Sequence, residues 1–292
     1  MTKLLVVFAA ALVLAYISQQ NTKATIAAGY RYSVWHDWAY LLLVVALCLF
    51  TGLRTNYNDT WNYVRGFNQA DTLTVFLSNP DNLNPFKNPL FYFLQSAVKS
   101  WTEYNQFFIF VTAVYTQICL LRFIKKYSTD FLFSVFIYFT LGTFTFSISA
   151  LKQVLAMATL TLAFPYLEKK SWILYYIVVF IAMLLHTYSL MFAILPFFRD
   201  KPWRLFTFLL ITVTAFVMMN FESTITAFMD QANDLGKSLA EYEVFGNATI
   251  NIFRLAVYAV PPLISLIFQK WVLHKTSGTE NVLINDHFSM PT

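Results

Sequence analysis

The 292-residue chain is 58% hydrophobic and 19% aromatic, and only 12% of its residues are charged. Its mean hydropathy is +0.55. Soluble domains carry about twice this share of charged residues, so the composition excludes an ordinary soluble protein and indicates an integral membrane protein. The formal net charge of +5 comes from 20 basic and 15 acidic residues. Many of the basic residues lie at the ends of apolar segments, where they set orientation and do not argue for nucleic-acid binding.

The apolar segments predict an all-α fold, a polytopic transmembrane helical bundle of about 8–10 membrane segments. The first segment, MTKLLVVFAAALVLAYISQQ, is interpreted as an uncleaved span rather than a signal peptide. We expect a single membrane domain over residues 1–275 and a polar tail over residues 276–292. The predicted helices, in chain order, are Lys3–Ser18, Asp37–Leu53, Tyr104–Lys125, Asp130–Ser147, Ala150–Leu167, Trp172–Phe198, Leu205–Asn220 and Ile250–Leu273.

Three polar stretches separate these helices, namely Gln19–His36, Arg54–Asn88 and Phe221–Thr249. The third contains five acidic residues and one lysine and is predicted to lie outside. Four basic clusters at helix ends are predicted to be cytoplasmic. They are Arg122–Tyr127, Glu168–Lys170, Arg199–Arg204 and Lys270–Lys275.

The segment Trp172–Phe198 has basic clusters beyond both of its ends, which one straight crossing cannot accommodate. A break at LLHTYS resolves the conflict and places His186 at the outer end of a helical hairpin. The same pattern puts Ser147–Gln153 outside. For Arg54–Asn88 to lie outside as well, the N-terminus must be external and Leu90–Val98 must not cross the membrane; a full crossing there would move Arg54–Asn88 to the cytoplasm. The run Leu90–Val98 is only about half as long as a ~30 Å hydrocarbon core requires, so it is predicted to be a re-entrant or surface helix. That assignment leaves Arg54–Asn88 outside as well.

The stretch GLRTNYNDTWNY brings two ionisable residues, Arg54 and Asp59, close to the end of an apolar helix. Ionisable groups beside membrane segments are costly and therefore mark candidate functional sites. Each also has a structural interpretation. Asp59 can be the N-cap of an amphipathic helix that begins DTWNYVRGF, and Arg54 can be an interfacial anchor.

Further along the chain, four polar residues stand in apolar surroundings: Lys152, Gln153, His186 and Arg254. Lys152 opens the helix SALKQVLAMATL, where a cation opposes the helix dipole and calls for an anionic partner or a position at the lipid headgroups. His186 can be a base, or a hydrogen-bonded core group or helix terminator. Arg254 lies about one turn inside the outer end of the last helix and would need an anion or a carbonyl cluster.

The order of GLR…NDTWNY, ALKQVLAMATL…LEKK, IAMLLHTYSLMFAILPF and FRLAVYAVPPLI resembles that of the EpsG family of bacterial membrane proteins. These are relatives of the Wzy-type polymerases of O-antigen, capsule and exopolysaccharide. The chain departs from the family pattern at Tyr57-Asn58-Asp59-Thr60, where Gly-Thr-Asp-Tyr is usual. It also has Lys152-Gln153 where the family has Arg-Gln, and a lysine does not bind phosphate in the bidentate manner of arginine.

The resemblance implies that the protein polymerises oligosaccharide repeat units carried on undecaprenyl pyrophosphate, at the outer face of the bacterial cytoplasmic membrane. It would be a multi-pass, glycosyltransferase-type polysaccharide polymerase. In this scheme Arg54, Lys152, Gln153 and Arg254 bind the substrate pyrophosphate, and Asp59 or His186 serves as the catalytic base. Trp61 and Tyr63 would stack on sugars, although interfacial aromatic belts place such residues at the same depth.

Two other functions stay open at this point. The chain can be a transporter or flippase of the same lipid-linked oligosaccharides, although it shows no inverted repeat. It can also be a non-catalytic assembly component, which the lysine at position 152 favours. No cofactor and no metal are expected, because carboxylates are not clustered. The expected partners are the lipid-linked oligosaccharide, the bilayer and other polysaccharide assembly proteins, with no nucleic acid.

Overall fold

The computed structural model describes residues 2–30 and 32–198, together with a few single positions further on. The chain divides into two compact units, Met1–Leu190 and Met191–Thr292, and the account below concerns the first. The predicted helices Leu205–Asn220 and Ile250–Leu273 fall outside the continuously described residues. So does the predicted polar tail, and the division into a 1–275 domain and a tail stays a prediction.

The described residues form eleven α-helices and contain no strand, which confirms the all-α prediction. Short 3-10 helices connect some of them, at Val34–His36, Pro80–Leu83 and Pro85–Lys87, and another covers Thr187–Phe198. The α-helices are α1 Thr2–Ala27, α2 Trp38–Gly52, α3 Thr60–Gln69, α4 Leu73–Ser78, α5 Pro89–Trp101, α6 Asn105–Tyr127, α7 Phe131–Thr140, α8 Thr143–Ser149, α9 Leu151–Thr161, α10 Phe164–Glu168 and α11 Trp172–Leu185.

Two of the predicted long helices are each broken into two. The helix predicted over Asp130–Ser147 consists of α7 and α8, bent by 53° at a break where Gly142 has φ +79°. The helix predicted over Ala150–Leu167 consists of α9 and α10, and Pro165 stands in the first turn of α10. Proline lacks the backbone N–H that a continuous helix needs, so it favours a new helix start.

The first predicted helix is too short, because α1 continues through Ala27 into a stretch that was predicted to be a polar loop. The hydroxyls of Thr22 and Thr25 in this stretch donate hydrogen bonds to the carbonyls of Ser18 and Asn21, so these donors are satisfied within the helix. The break predicted at LLHTYS is confirmed, since α11 ends at Leu185 and His186 is its C-cap.

Two helices of the described residues, α1 and α6, are long and apolar enough to cross a membrane. The bent pair α7 and α8 makes a third if it counts as one span. Helices α2 and α11 are apolar but shorter. The protein is therefore a helical membrane protein. In the most apolar window of α6, 56% of the residues are buried, against 17% in α1, so α6 is the more central of the two.

Side-chain contacts define the two ends of the bundle. At one end, the Gln106 amide at the start of α6 donates to the carbonyls of Gly52 (2.6 Å) and Arg54 (3.1 Å), which follow the end of α2. At the other end, Lys125 of α6 contacts Asp37, the N-cap of α2, at 3.7 Å. Helices α2 and α6 are therefore antiparallel. We call the end with Arg54 the arginine end and the other the lysine end.

The polar region between α2 and α6 begins and ends at the arginine end. Because Gln106 holds the carbonyl of Gly52, residues 53–104 leave α2 and return to α6 at the same end of this pair. Helix α5 therefore does not carry the chain across the bundle. Its 13 residues would span about 20 Å, short of a membrane core. This supports the prediction of a re-entrant or surface helix.

Close packing at the arginine end depends on Gly52. A Cβ atom at this position would lie 2.7 Å from Cδ2 and 3.3 Å from Cα of Phe110 in α6. The second of these atoms belongs to the backbone and cannot simply rotate away. Any larger residue would therefore push α2 from α6 where the Gln106 hydrogen bonds form.

A buried charged cluster joins four elements at the lysine end. The Asp37 carboxylate accepts hydrogen bonds from Ser18 Oγ (2.6 Å), Tyr32 OH (2.8 Å) and Asn21 Nδ2 (3.1 Å). Lys125 Nζ donates to Ser18 Oγ (2.6 Å) and lies 4.3 Å from the centre of the Phe131 ring of α7. Burial raises the pKa of Asp37, but these hydrogen bonds outweigh burial and hold it below its usual value. The carboxylate is therefore ionised and matched to the lysine.

A polar ladder inside the bundle fixes α6 against α7 and α8. The Gln117 side chain is fully buried, donates to Ser147 Oγ (3.0 Å) and accepts from Tyr138 OH (3.0 Å). The Ser147 hydroxyl in turn donates to the carbonyl of Phe144 (2.6 Å). A network in which each member has a partner specifies one arrangement of apolar helices.

We predict that Lys125→Met lowers the free energy of unfolding by about 3 kcal/mol, because it leaves the Asp37 charge buried without its cation. The side chains are only 4% and 1% exposed. The measurement is thermal unfolding of the purified protein in detergent. Lys126→Met is the matched control, since Lys126 is 51% exposed where it meets Glu168 and should change stability by less than about 1 kcal/mol. Equal effects of the two variants would contradict the structural role of the cluster.

A second prediction concerns orientation. A cysteine at Asp59 and one at Lys87 should both react with a membrane-impermeant thiol reagent in whole cells, because both positions belong to the arginine end. A cysteine at Lys126, at the lysine end, should react only after permeabilisation. The native Cys48 and Cys119 are buried and give a low background. The reverse pattern would place the arginine end in the cytoplasm.

Candidate functional site

The segment between α2 and α3 holds Arg54 against the end of α2. Its Nη1 donates to the carbonyl of Thr51 (2.5 Å), and its Nε donates to Thr60 Oγ1 (3.2 Å). Thr60 is the first residue of α3, and its hydroxyl donates a hydrogen bond to the carbonyl of Tyr57 (2.7 Å). Arg54 therefore joins two helices while its own carbonyl is bound by Gln106.

The guanidinium of Arg54 is not fully satisfied. The residue is 9% exposed, and Nη2 is closed to solvent with no hydrogen-bond partner among the described residues. No carboxylate among the described residues forms an ion pair with it. Burial lowers the pKa of Arg54 to about 10, partly opposed by Tyr63. The group is still cationic at neutral pH, so it is a buried positive charge with an open donor.

Asp59 is the N-cap residue of α3, as the sequence predicts, but its side chain makes no capping hydrogen bond. The carboxylate is partly exposed and forms no ion pair in residues 2–30 and 32–198. The neighbouring Thr60, not Asp59, contacts the Arg54 side chain. The Asp59 carboxylate therefore lies close to the arginine segment in the chain without an ion pair or a capping hydrogen bond among the described residues.

Tyr63, one turn into α3, connects the Arg54 region to the start of α9. Its hydroxyl accepts a hydrogen bond from the backbone N–H of Lys152 (3.5 Å), and its ring lies 6.2 Å from that of Phe91 in α5. It lies three residues after Thr60, whose hydroxyl accepts from Arg54 Nε. Tyr63 is half-buried, so it positions these groups and offers only part of its ring for stacking on a sugar.

Lys152 and Gln153 lie in the first turn of α9, where the sequence places them. Lys152 Nζ is 5.7 Å from the Phe91 ring centre and 5.5 Å from that of Tyr92, and no ion pair with a described carboxylate forms. Gln153 Oε1 is closed to solvent and has no hydrogen-bond partner in the part of the chain that the structure describes. Lys152 thus lies over aromatic rings, with no carboxylate of that part paired to it.

His186 caps α11, which agrees with its structural interpretation as a helix terminator. Its ring meets that of Tyr188 edge to face at 5.2 Å. The next residue, Thr187, is bound to the segment before α5: its backbone N–H and its hydroxyl donate to Asn88 Oδ1 at 2.8 and 3.0 Å. Asn88 has φ +54°, in the left-handed region that asparagine tolerates better than most residues.

An apolar cluster under the arginine end brings these groups together. Its buried members come from α3, α5, α6, α9 and the last residue of α11, next to His186. Tyr63 packs against this cluster, Lys152 and Gln153 follow its member Leu151, and His186 follows its member Leu185. Arg54 and Asp59 are connected to it through α3, whose first residue, Thr60, accepts from the Arg54 side chain. The buried members are Phe67, Phe91, Phe108, Ile109, Leu151, Leu155, Ala156 and Leu185.

Two predicted residues are not part of this arrangement. Trp61 is 60% exposed, and its ring carries the Arg65 guanidinium at 5.4 Å, so it points away from the cluster centre. It suits an interfacial position as well as a sugar. Arg254 lies outside the described residues.

Sequence reasoning missed the residues that support the site and those of a nearby cleft. Asn88 and Gln106 hold His186 and Arg54 in place, and both lie at helix starts, which gives them a structural reason to be polar. A cleft of about 340 Å³ lies between α3, α4 and α5, and the predicted site residues do not line it. One signal for it existed: Gln95 interrupts the apolar run LFYFLQSAV.

The described residues define a helical membrane protein. At the arginine end of its bundle, Arg54, Lys152 and Asp59 form no ion pair with one another or with other described residues. The sequence profile of the EpsG family matches residues 37–290, which is most of the chain. The protein therefore belongs to the EpsG family, and this membership indicates an exopolysaccharide-related role. No curated protein and no solved structure matches it.

We predict that Asn88→Gly lowers stability by about 2 kcal/mol, because the Thr187 backbone N–H loses its acceptor while the glycine accommodates the positive φ. The Thr187 hydroxyl keeps the carbonyl of Phe86 (2.9 Å) as its acceptor. Thermal unfolding in detergent measures the change. Asn79→Gly is the matched control: among the described residues the Asn79 side chain accepts only from the nearby Asp81 N–H, so its loss should matter little. If the two variants behave alike, Asn88 does not fix the position of His186.

Proposed function

We propose that the protein polymerises oligosaccharide repeat units carried on undecaprenyl pyrophosphate, at the outer face of the cytoplasmic membrane. The acceptor hydroxyl attacks the anomeric carbon of the donor sugar, the bond from that carbon to the pyrophosphate breaks, and the lipid pyrophosphate leaves. A base takes the hydroxyl proton. The observation that carries the proposal is the buried Nη2 of Arg54, which has no hydrogen-bond partner among the described residues. Lys152, which the Tyr63 hydroxyl joins to the same helix α3, adds a second cation with no ion pair among those residues.

A leaving pyrophosphate accounts for both cations. A buried arginine without an anion is costly, and a phosphate oxygen would satisfy the open Nη2 donor. Lys152 would add a point charge from the start of α9, which is also the positive end of that helix. Charges aimed at the leaving group stabilise the transition state more than the ground state. Because Nη2 is closed to solvent, a side-chain or loop movement must admit the phosphate.

Asp59 and His186 are the two groups with a proton affinity suited to the base. Asp59 precedes Thr60, the residue that holds Arg54 Nε, and its carboxylate is free of internal hydrogen bonds among the described residues. His186 adjoins the same apolar cluster through Leu185. A carboxylate or imidazole beside the pyrophosphate site would take the acceptor proton near the reacting carbon.

Arg54→Gln is expected to reduce polymer formation roughly 100-fold, the loss typical for removal of one donor to a developing negative charge. The measurement is polymer length on gels from cells carrying the chromosomal change, with protein level checked in the membrane fraction. Arg54→Lys keeps the charge and should retain part of the activity. Arg65→Gln, on the exposed face of α3, is the matched control and should leave the polymer normal.

The location of unpolymerised repeat units separates the alternatives. Lipid-linked single units outside the membrane support a polymerase, whereas units held on the cytoplasmic leaflet support a flippase. If Arg54→Gln cells make polymer of normal length, Arg54 does not act in polymerisation and serves only to connect α2 and α3.

A further inference from the structure

The cleft of about 340 Å³ lies at the lower end of the range of small-molecule sites, about 300–1,000 Å³. Its walls come from α3, α4, α5 and the 3-10 helix at Pro80–Leu83. Most of the side chains that line it are polar. Apolar atoms nevertheless make up the larger part of the lining surface, so the cleft suits a ligand that has both apolar faces and hydrogen-bonding edges.

The Gln95 side-chain amide lines the cleft without a hydrogen-bond partner among the described residues. Gln95 of α5 is 2% exposed, lines the cleft, and makes no side-chain hydrogen bond to the described part of the chain. Its amide offers two donors and one acceptor group. Where this amide faces the cleft, a ligand with hydroxyl groups can meet both its donors and its acceptor, because each hydroxyl both donates and accepts.

The rim of the cleft has more acceptors than donors. Asp71 and Asp81 are exposed carboxylates, and Asn82 donates to the carbonyl of Phe76 (3.0 Å), which leaves its oxygen to the cleft. Lys87 supplies one cation and forms no ion pair among the described residues. The lining thus has one net negative charge, which opposes a phosphate. No group of three or more metal-binding side chains occurs in the part of the chain searched, so a metal site is not indicated.

Tyr92 connects the cleft to the cationic site. It lines the cleft and is 42% exposed, and its ring centre lies 5.5 Å from Lys152 Nζ. A ligand stacked on Tyr92 would therefore extend from the neighbourhood of Lys152 into the cleft. Aromatic faces beside carboxylates and amides match the apolar faces and hydroxyl edges of a sugar ring.

We propose that this cleft binds neutral or amino sugars of the oligosaccharide, with the pyrophosphate held outside it by Arg54 and Lys152. The inference rests on the proposed function and adds the place where the saccharide lies. Gln95 bonds the sugar hydroxyls from below, Asp71 and Asp81 accept from the rim, and Tyr92 carries a ring face.

Gly66 of α3 keeps the cleft open. A Cβ atom there would lie 3.5 Å from Gln95 Nε2, in ordinary contact, so alanine fits while a branched side chain would occupy the space above the amide. Gly66→Leu is therefore a variant that fills the cleft and leaves each of its polar groups in place.

The test uses the purified full-length protein in detergent with three probes. They are the lipid-linked repeat unit that accumulates in a deletion strain, the free oligosaccharide released from it by mild acid, and farnesyl pyrophosphate, which has no sugar. Gln95→Leu, Tyr92→Ala and Gly66→Leu should each weaken binding of the free oligosaccharide about tenfold, ~1.4 kcal/mol. Farnesyl pyrophosphate should bind as to the wild type. Tyr104→Ala, at a tyrosine 66% exposed and outside the cleft, is the matched control.

The outcomes are distinct. Loss of oligosaccharide binding with farnesyl pyrophosphate unaffected supports the saccharide cleft. If the three variants bind the oligosaccharide normally, or lose both probes together, the cleft is not a saccharide site, and the proposed function still stands if Arg54→Gln loses farnesyl pyrophosphate. If the deletion strain accumulates no lipid-linked repeat unit, the proposed function itself is wrong and the inference falls with it. Equal thermal unfolding of variants and wild type excludes a folding defect.

Discussion

The buried ion pair between Asp37 and Lys125 is the contact on which the arrangement of the bundle depends. It fixes the start of α2 to the end of α6, and through Ser18 and Phe131 it also holds α1 and α7. Lipid-exposed apolar helices can slide past one another with little change in burial, so polar contacts select one register. With the lysine end fixed, Gln106 meets the carbonyls of Gly52 and Arg54 at the far end of the same helix pair.

Each end of the bundle buries a cation, but among the described residues only the cation at the lysine end has a carboxylate partner. Lys125 has a carboxylate, two hydroxyls and aromatic faces around it, so its charge is compensated within the chain. Arg54 has neutral acceptors on two of its nitrogens and none on the third. Removing a partner from a buried charge is expensive, so an arrangement that leaves one open points to a partner from outside the chain. Lys125 shows how this bundle compensates a buried cation that is only structural. The lack of such compensation at Arg54 argues against a purely structural role for it.

The sequence predicted what apolar runs and charge clusters dictate, and it missed what depends on contacts distant in the chain. The break at His186 followed from basic clusters on both sides of one apolar segment, and Asp59 was correctly placed as a helix start. The length of α1 was wrong because threonine hydroxyls satisfied by their own helix look like loop residues in a composition window. Asn88 could not be recognised, since its role is to hold Thr187, 99 residues away. The cleft arises only once α3, α4 and α5 pack together.

The positions of cations and cleft along the bundle match the order of groups in a lipid-linked oligosaccharide. Exposed aromatic residues favour the membrane interface, and Trp101 and Tyr104 flank the short connection between α5 and α6, close to where Gln106 binds Arg54. In the proposed function, this end of the bundle would lie at the depth of the lipid headgroups, where a polyprenyl pyrophosphate carries its charge. The cleft is built from the polar segment beyond α2, with Tyr92 between it and Lys152. In the proposed function, the lipid, the pyrophosphate and the sugar would therefore contact the apolar helices, the cations and the cleft in that order. Such an order would hold the anomeric carbon between its leaving group and the acceptor.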